Sequence, residues 1–346
     1  MIKKILRFEI TDKCNQKCNM CWSTDWKHND LKWENIEKIV YNYNEMYPAG
    51  TIVLTSREPL LSSSFENFLE LTKKLNITVK LLTNGTLFTD RICKLIVNST
   101  IDFISISIHG SEDIHNEIVG SLNSYNLIIN GLHKLNDYKK KYNRSNLNIR
   151  ITTVINEHSL DNIEEIINVC KTTNSSLRIQ HLMWHSTEIK SKHKKEIKNK
   201  FGYNDNIIDG FLSNAGINYD YVIKTIKKAK EICSKKNVEL QIYPDLDEND
   251  ILEWYSPETT NNCHNMYCDH VSESIRMRAN GDISLCQYID KYYGNAVKQS
   301  LDDIILSEEY NNIANDLKSG FLLPICYHCC HLRKQKKDIK SNNSKI

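Results

Sequence analysis

The sequence predicts an α/β protein: a partial (β/α)6 barrel of the TIM type, followed by a small Cys-rich domain. Two observations predict it. Strand-like and helix-like patterns alternate through the first two thirds of the 346 residues, and after about residue 258 cysteines and histidines become dense while the strands shorten. Consecutive β-α units imply a parallel sheet with right-handed crossovers. A closed barrel wants eight such units; the six found here suit a barrel open on one side, with chemistry at the C-terminal ends of its strands.

LRFEIT (6–11) reads as the first strand, and Trp33, Ile36, Val40 and Tyr43 follow at helical spacing. TIVLTS (51–56) is the second strand, with a helix near 64–74. ITVKLLT (77–83) is the third, ended by the Asn84-Gly85 turn signal. A helix near 89–97 leads to DFISISI (102–108); helices near 112–118 and 124–140 precede NLNIRITTV (146–154). Ile163, Ile167 and Cys170 mark another helix face before SLRIQHLM (176–183). Residues 184–218, polar with a basic run at 190–200, read as an insertion. Val222, Ile226, Ala229 and Cys233 share a helix face, and VELQIYP (238–244) is a further strand. The expected boundaries are a core over 1–245, a Cys-rich domain over 258–332 and a disordered basic tail over 333–346.

The bulk numbers exclude several classes. Hydrophobic residues are 40% and charged residues 25%, as a packed soluble core requires. A net charge of +2 argues against nucleic acid or an anionic membrane as the main partner. The N-terminus MIKKILRFEI has too short an apolar run for a signal peptide, and no stretch of about 18 apolar residues suggests a span. The expected location is the cytoplasm. Twelve cysteines in a chain of this size, with no secretion signal, point to metal or redox chemistry rather than disulfides.

Cys14, Cys18 and Cys21 form C-x3-C-x2-C just beyond the first strand. Three thiolates within eight residues can converge on one face of an iron–sulfur cube and leave one iron without a protein ligand. A structural zinc site is the competing reading; it wants four ligands, and the nearest fourth is His28.

CNQKCNMC resembles the C-x3-C-x-Φ-C motif of the radical S-adenosylmethionine (SAM) superfamily, with Met20 at the position that packs near the adenine. LTSREPLL (54–61) is similar to the family's Gly-Gly-Glu-Pro segment, LLTNGTLF (81–88), with Asn84, to its third-strand segment, and SISIHG (105–110), with Ser107, to its fourth-strand Ser-x-Asp-Gly. The resemblance implies SAM chelating the open iron of a 4Fe–4S cluster, and a 5′-deoxyadenosyl radical made from it. It implies a SAM pocket drawing on Met20, Ser56, Arg57, Glu58, Asn84 and Ser107. Ser56 and Arg57 replace the two glycines, where Gly avoids a Cβ clash. Glu58 keeps a carboxylate for the SAM amino group, while Arg57 either pairs with the SAM carboxylate or points outward. His109 stands where the family often has Asp, and Val119 where it often has Arg.

Cys268, Gly281 and Cys286 form C-x12-G-x4-C, and ANGDISLC reads as a hairpin turning at Asn280-Gly281 with Cys286 on the return strand. Gly294-Asn295 and Leu301 resemble the G-N…L linker of the SPASM family, and Cys326-x2-Cys329 closes the set. The resemblance is to the smaller "twitch" form of that domain. It implies one auxiliary 4Fe–4S cluster on Cys268, Cys286, Cys326 and Cys329, closed and suited to electron transfer. MoaA-like cyclases space their C-terminal cysteines differently, so their chemistry is not carried over. A zinc ribbon also fits a hairpin plus C-x2-C. Cys263, Cys330, His264, His270, His328 and His331 crowd the ligand list, and Cys330 is the alternative to Cys329. Cys93, Cys170 and Cys233 read as buried structural thiols. Trp184 and His185, after the sixth strand, either line a substrate pocket or pack.

Three readings of function follow. The first is an enzyme oxidising or rearranging a small molecule such as a sugar or polyol, with the auxiliary cluster as electron conduit and a flavodoxin- or ferredoxin-type donor. The second modifies a peptide. The third is an iron–sulfur protein with lost chemistry, suggested by Ser56, Arg57 and Val119.

Overall fold

The computed structural model describes residues 4–22, 29–55, 57–256, 266–268 and 270–334. Expectations placed on His28, Ser56, Cys263, His264 and the tail from 335 onward lie outside the described residues.

The expected alternation is realised in order: β1 (Ile5–Phe8), α1 (Trp33–Met46), β2 (Thr51–Leu54), α2 (Phe65–Lys74), β3 (Thr78–Thr83), α3 (Asp90–Val97), β4 (Ile101–Ser107), α4 (Glu112–Val119), α5 (Ser124–Lys141) and β5 (Asn148–Val154). Then come α6 (Glu157–Asp161), α7 (Ile163–Thr172), β6 (Ser176–Gln180), α8 (Thr187–Phe201), α9 (Tyr219–Lys236), β7 (Leu240–Tyr243) and α10 (Glu248–Tyr255). Strands β1 to β7 pair in parallel and in sequence order. The 238–244 strand is thus a seventh wall of the barrel.

Alternate strand residues explain why the sheet curls around a polar lumen. Leu6, Phe8, Ile52, Leu54, Val79, Leu81, Ile149, Ile151, Leu177 and Ile179 turn toward the helices and are buried in one core. Their neighbours Arg7, Lys80, Arg150 and Arg178 alternate with them and face the other way. Helix faces match: α1 buries Ile36, Ile39, Val40 and Tyr43, and α7 buries Ile163, Ile166, Ile167, Val169 and Cys170. Cys93, Cys170 and Cys233 are buried on α3, α7 and α9. Arg144 ties the floor together by donating to the carbonyls of Val97 (2.6 Å), Ser99 (2.7 Å) and Ile101 (2.7 Å).

The Cys-rich segment is not a detached unit. It runs through β8 (Met266–Tyr267), α11 (His270–Glu273), β9 (Ser274–Met277), β10 (Asp282–Ser284), β11 (Gly294–Asn295), α12 (Leu301–Ile305), α13 (Glu308–Lys318) and β12 (Arg333–Lys334). β9 lies parallel to β1, so the hairpin β9–β10 and then β11 extend the barrel sheet to ten strands. Arg333, expected to open the disordered tail, instead pairs with Tyr267, and its Nη2 donates to the hydroxyl of Tyr243 at the end of β7 (2.8 Å). The Cys-rich segment therefore touches both edges of the open barrel.

Residues 184–218 also differ from a loose insertion. Ile189, His193 and Ile197 make the buried stripe of α8. Ile197, Ile208 and Phe211 form a second core with Tyr288, Ile289, Leu323, Ile325, Cys329 and Leu332 of the Cys-rich segment. Trp184 and His185 are fully buried: Trp184 Nε1 donates to the Trp254 carbonyl (3.0 Å), and its ring stacks on His328. Trp184 therefore packs, while both ring nitrogens of His185 are buried without a hydrogen-bond partner. Among the described residues no helix is long and apolar enough to cross a membrane.

Candidate iron–sulfur sites

The chain leaving β1 forms a loop over the C-terminal ends of the strands, and many short bonds fix it. Asn15 donates to Thr86 Oγ1 (2.9 Å) and accepts from Asn84 Nδ2 (2.7 Å). Gln16 Nε2 reaches the buried hydroxyl of Ser124 (2.7 Å), which also meets His115 Nε2 (3.0 Å). Lys17 and Asn19 donate their amides to the carbonyls of Val119 (3.0 Å) and Ile118 (2.9 Å), the last turn of α4. Gly120 ends that helix at φ +63°, and a Cβ there would sit 3.1 Å from the Lys17 carbonyl. Val119 thus serves through its backbone, which any residue could supply.

On this loop Cys14, Cys18 and Cys21 are each half-buried. Burial pushes the Cys18 thiol up to about 12, with Cys21 and Cys14 adding to it. Burial also raises Cys14, which feels Glu58 and Cys21. Cys14 and Cys18 resist ionisation chiefly because they are buried, and iron beside the three sulfurs would supply the missing positive charge. Met20, in the turn between Cys18 and Cys21, is partly exposed.

Arg57 stands where the resemblance places glycine, and its φ is +33°, a left-handed region that glycine enters without cost. That is the physical reason for glycine there, and Arg57 holds the same conformation under strain. Glu58 is turned wholly inward. Its carboxylate accepts from Thr83 Oγ1 (2.8 and 2.9 Å), the Asn84 amide (2.7 Å) and the Leu60 amide (3.1 Å). These bonds tie the end of β2 to the end of β3 and occupy the carboxylate with protein donors. Asn84 in turn accepts from Thr86 and donates to Asn15, so the Glu58 hub is two links from the cysteine loop. Ser107 ends β4, partly exposed beside Thr152 of β5. His109 is buried, stacks on His115 and is pushed down to about 3 by burial, so it is neutral and supplies no substitute for an Asp charge.

Burial raises Glu58 to about 7 against the opposing pull of Asn84, Thr83 and Leu60. A folded-state value above the unfolded value means that folding favours the protonated acid. This contribution is fully present below pH about 4.5 and is lost as pH rises to about 7, a change of about 3 kcal/mol. Glu58→Gln is expected to flatten that slope. Urea melts at pH 5 and pH 7.5 check it, and equal slopes in both proteins would refute it.

The second cysteine group is built by the hairpin and a 3-10 turn. Gly281 makes the β9–β10 turn at φ +90°, where a Cβ would lie 2.6 Å from Val297. Cys286 sits two residues past β10 rather than on it, and its sulfur accepts the Tyr288 amide (3.4 Å). Cys326 ends the turn Pro324–Cys326, its carbonyl accepts the Cys329 amide (2.9 Å), and Cys329 Sγ accepts the His331 amide (3.4 Å). Amide donors of this kind are what metal-bound thiolates use. Burial pushes Cys286 up to about 12, with Cys268 adding to it, while Cys329 is raised by Cys330 and by burial, and also feels Cys326 and Cys286. Cys268, Cys286, Cys326, Cys329 and Cys330 therefore form one interacting group. Cys330 is held low, chiefly by its bond with Cys329, and it is also felt by Arg7, Arg178 and Tyr243 of the lumen. Among the described residues no three His, Cys, Asp or Glu side chains are gathered as one metal ion would gather them. A cubane sets its thiolates wider apart than a single tetrahedral ion does. His270 stacks on His331, and His328 meets the Trp184 carbonyl (2.7 Å), so these histidines have other roles.

Sequence reasoning missed the link between the two groups. Trp22, directly after Cys21, stacks on Phe211 (6.0 Å, 6° between planes) and meets Tyr288 edge-on (5.3 Å). Tyr288 lies two residues after Cys286, and its hydroxyl is 4.0 Å from Cys330 Sγ. Its position after Cys21 was the available signal.

Comparison with known proteins agrees with this geometry. Residues 8–170 match the radical SAM superfamily, and residues 268–330 match the iron–sulfur cluster-binding domain SPASM. The chain is 23% identical over 167 residues to the tungsten-containing aldehyde ferredoxin oxidoreductase cofactor-modifying protein of Pyrococcus furiosus, covering 47% of each. It is 22% identical to the sporulation killing factor maturation protein SkfB of Bacillus subtilis, over 47% of this chain and 38% of that one. It is 30% identical to a GTP 3′,8-cyclase of Clostridium perfringens, over 51% and 55%. The matches thus span about half or less of these relatives' lengths. Among solved structures, SuiB of Streptococcus suis bound to its precursor peptide SuiA shares the fold, with TM-score 0.64, 14% identity, and coverage of 90% of this chain and 67% of that one. The two matched domains imply a SAM-binding 4Fe–4S cluster and auxiliary iron–sulfur binding. This chain belongs to the radical SAM superfamily and carries a C-terminal SPASM domain.

Proposed function

We propose that the chain is a radical SAM enzyme in which Cys14, Cys18 and Cys21 hold the SAM-binding cluster, and Cys268, Cys286, Cys326 and Cys329 hold an auxiliary one. The observation that carries this is the crowding of three half-buried thiols at the C-terminal mouth of a partial barrel. When bound, the first cluster supplies reductive cleavage of SAM, and with it hydrogen abstraction from a substrate carbon. The protein's own residues do the rest. In this reading Met20, Arg57, Asn84 and Ser107 contact SAM, and the Glu58 hub fixes the turn that carries Asn84. With its carboxylate satisfied internally, Glu58 acts on SAM through the backbone it positions. Trp22 and Tyr288 join the two cysteine groups by aromatic contact, which supports a redox role for the auxiliary cluster; the electron donor in this reading is of the flavodoxin or ferredoxin type.

The substrate reading is a small molecule, a sugar or polyol, taken into the polar lumen. A peptide substrate is the second reading, supported by similarity to the sporulation killing factor maturation protein SkfB. Anaerobic assays with dithionite, SAM and the small-molecule or peptide fraction of a cell extract separate them. The small-molecule fraction is expected to raise 5′-deoxyadenosine release above the substrate-free rate. Stimulation by the peptide fraction alone would overturn that choice.

A further inference from the structure

The lumen carries more positive charge than its acids can balance. Arg7 on β1 aligns with Arg276 on β9, so both guanidiniums leave the same face of the sheet. Glu9 is the carboxylate beside them, and one oxygen accepts from both Arg276 (3.0 Å) and Arg278 (3.4 Å). Across the lumen Arg178 aligns with Gln241. A single neutral amide oxygen, Gln241 Oε1, accepts from Arg178 Nε (2.9 Å) and Nη2 (2.7 Å) and from Arg150 Nη1 (3.3 Å). Where two guanidiniums converge, an acid is the usual partner, and here an amide stands in its place. The Tyr243 ring lies between Arg178, 4.4 Å from its centre, and one further cation, Arg333, at 4.9 Å. Lys80, over the ring of Phe103, adds to the same wall. Glu239 is the carboxylate that Arg150 feels, and it lines the cavity described next.

Two observations say that something is meant to join this array. The Nε atoms of Arg7, Arg150 and Arg276 are buried without a hydrogen-bond partner, an arrangement that costs stability unless a ligand completes it. A cavity of about 520 Å³ opens at the N-terminal ends of β5 to β7, lined by Arg150, Gln241, Phe103, Ser176, Lys139 and Glu239; Arg178 stands outside this lining, on β6 between Arg150 and Gln241.

We propose that Arg150 and Arg178, bridged by Gln241, form an oxyanion site at the floor of the lumen that holds a phosphate or carboxylate of a small-molecule substrate. The site deepens the small-molecule reading above and rests on it. The cysteine loop lies at the opposite, C-terminal end of the strands, so the anionic group would anchor the substrate by its non-reacting end. Burial depresses Arg150 to about 10, and burial together with Arg276 does the same to Arg7, as expected of cations short of counter-charge.

The test uses the full chain with neither SAM nor reductant. Pyrophosphate and citrate are titrated calorimetrically and by thermal melting, with sodium chloride at matched ionic strength as control. The wild type is expected to bind one of the two oxyanions, and which one binds tells phosphate from carboxylate. Arg178→Met should weaken that binding about tenfold or more. Gln241→Glu places an internal carboxylate between the two arginines. It should weaken oxyanion binding by a similar factor while melting no lower than wild type, which keeps the test valid if Arg178→Met folds poorly. Equal melting shifts with chloride, or unchanged binding in Gln241→Glu, would overturn the site. Oxyanion binding without any 5′-deoxyadenosine release would instead count against the radical reading alone, and the converse against the oxyanion site alone.

Discussion

Replacing Cys14, Cys18 and Cys21 together by Ala lowers iron in the anaerobically reconstituted chain from about eight to about four per chain, with sulfide falling in step. The expectation rests on two separate donor sets. The first lies on the loop after β1, held by Asn15, Gln16 and Lys17 to β3, α5 and α4. The second gathers around the β9–β10 hairpin and the turn at Cys326. Ala at the three loop positions leaves the Asn15, Gln16 and Lys17 anchors intact, so the second set keeps its metal. Elemental analysis with circular dichroism checks the result. Zinc in place of the remaining iron would refute the auxiliary cluster, and loss of all iron from a folded protein would refute the independence of the two sites.

The second large effect concerns Cys286. Cys286→Ala is expected to abolish product formation while SAM cleavage partly survives. The cysteine loop is untouched by the change, but an electron leaving the substrate loses its acceptor. The change also removes the sulfur that takes the Tyr288 amide, beside the ring that meets Trp22. Circular dichroism must show the domain folded, and retained product with full turnover would contradict the conduit role.

Much of this was legible in the sequence because the relevant signals are local. Period-two runs marked the strands, Asn84-Gly85 and Asn280-Gly281 marked turns, and cysteine spacing marked both donor sets. What was not legible is nonlocal or diluted. α8 is so rich in lysine that its inward stripe of Ile189, His193 and Ile197 reads as a solvated run. Nothing in Ser274–Met277 announces a parallel partner some 270 residues earlier in β1. Glu58 carries a motif position, yet the sequence does not say that Thr83 and the Asn84 amide will claim its carboxylate. The positive φ of Arg57 explains the glycine of the resembled motif, but a sequence with Arg there hides it. Trp22 looked like any aromatic until its ring met Tyr288.

The central claim is that three thiolates on the loop after β1 leave an iron open to SAM. It is tested most directly by incubating the reconstituted chain with dithionite and SAM and measuring 5′-deoxyadenosine, with Cys18→Ala alongside. Release by the wild type even without substrate, and none by Cys18→Ala, is the predicted result. A wild type that binds its full iron and sulfide yet never releases 5′-deoxyadenosine, with candidate substrates present, would contradict it.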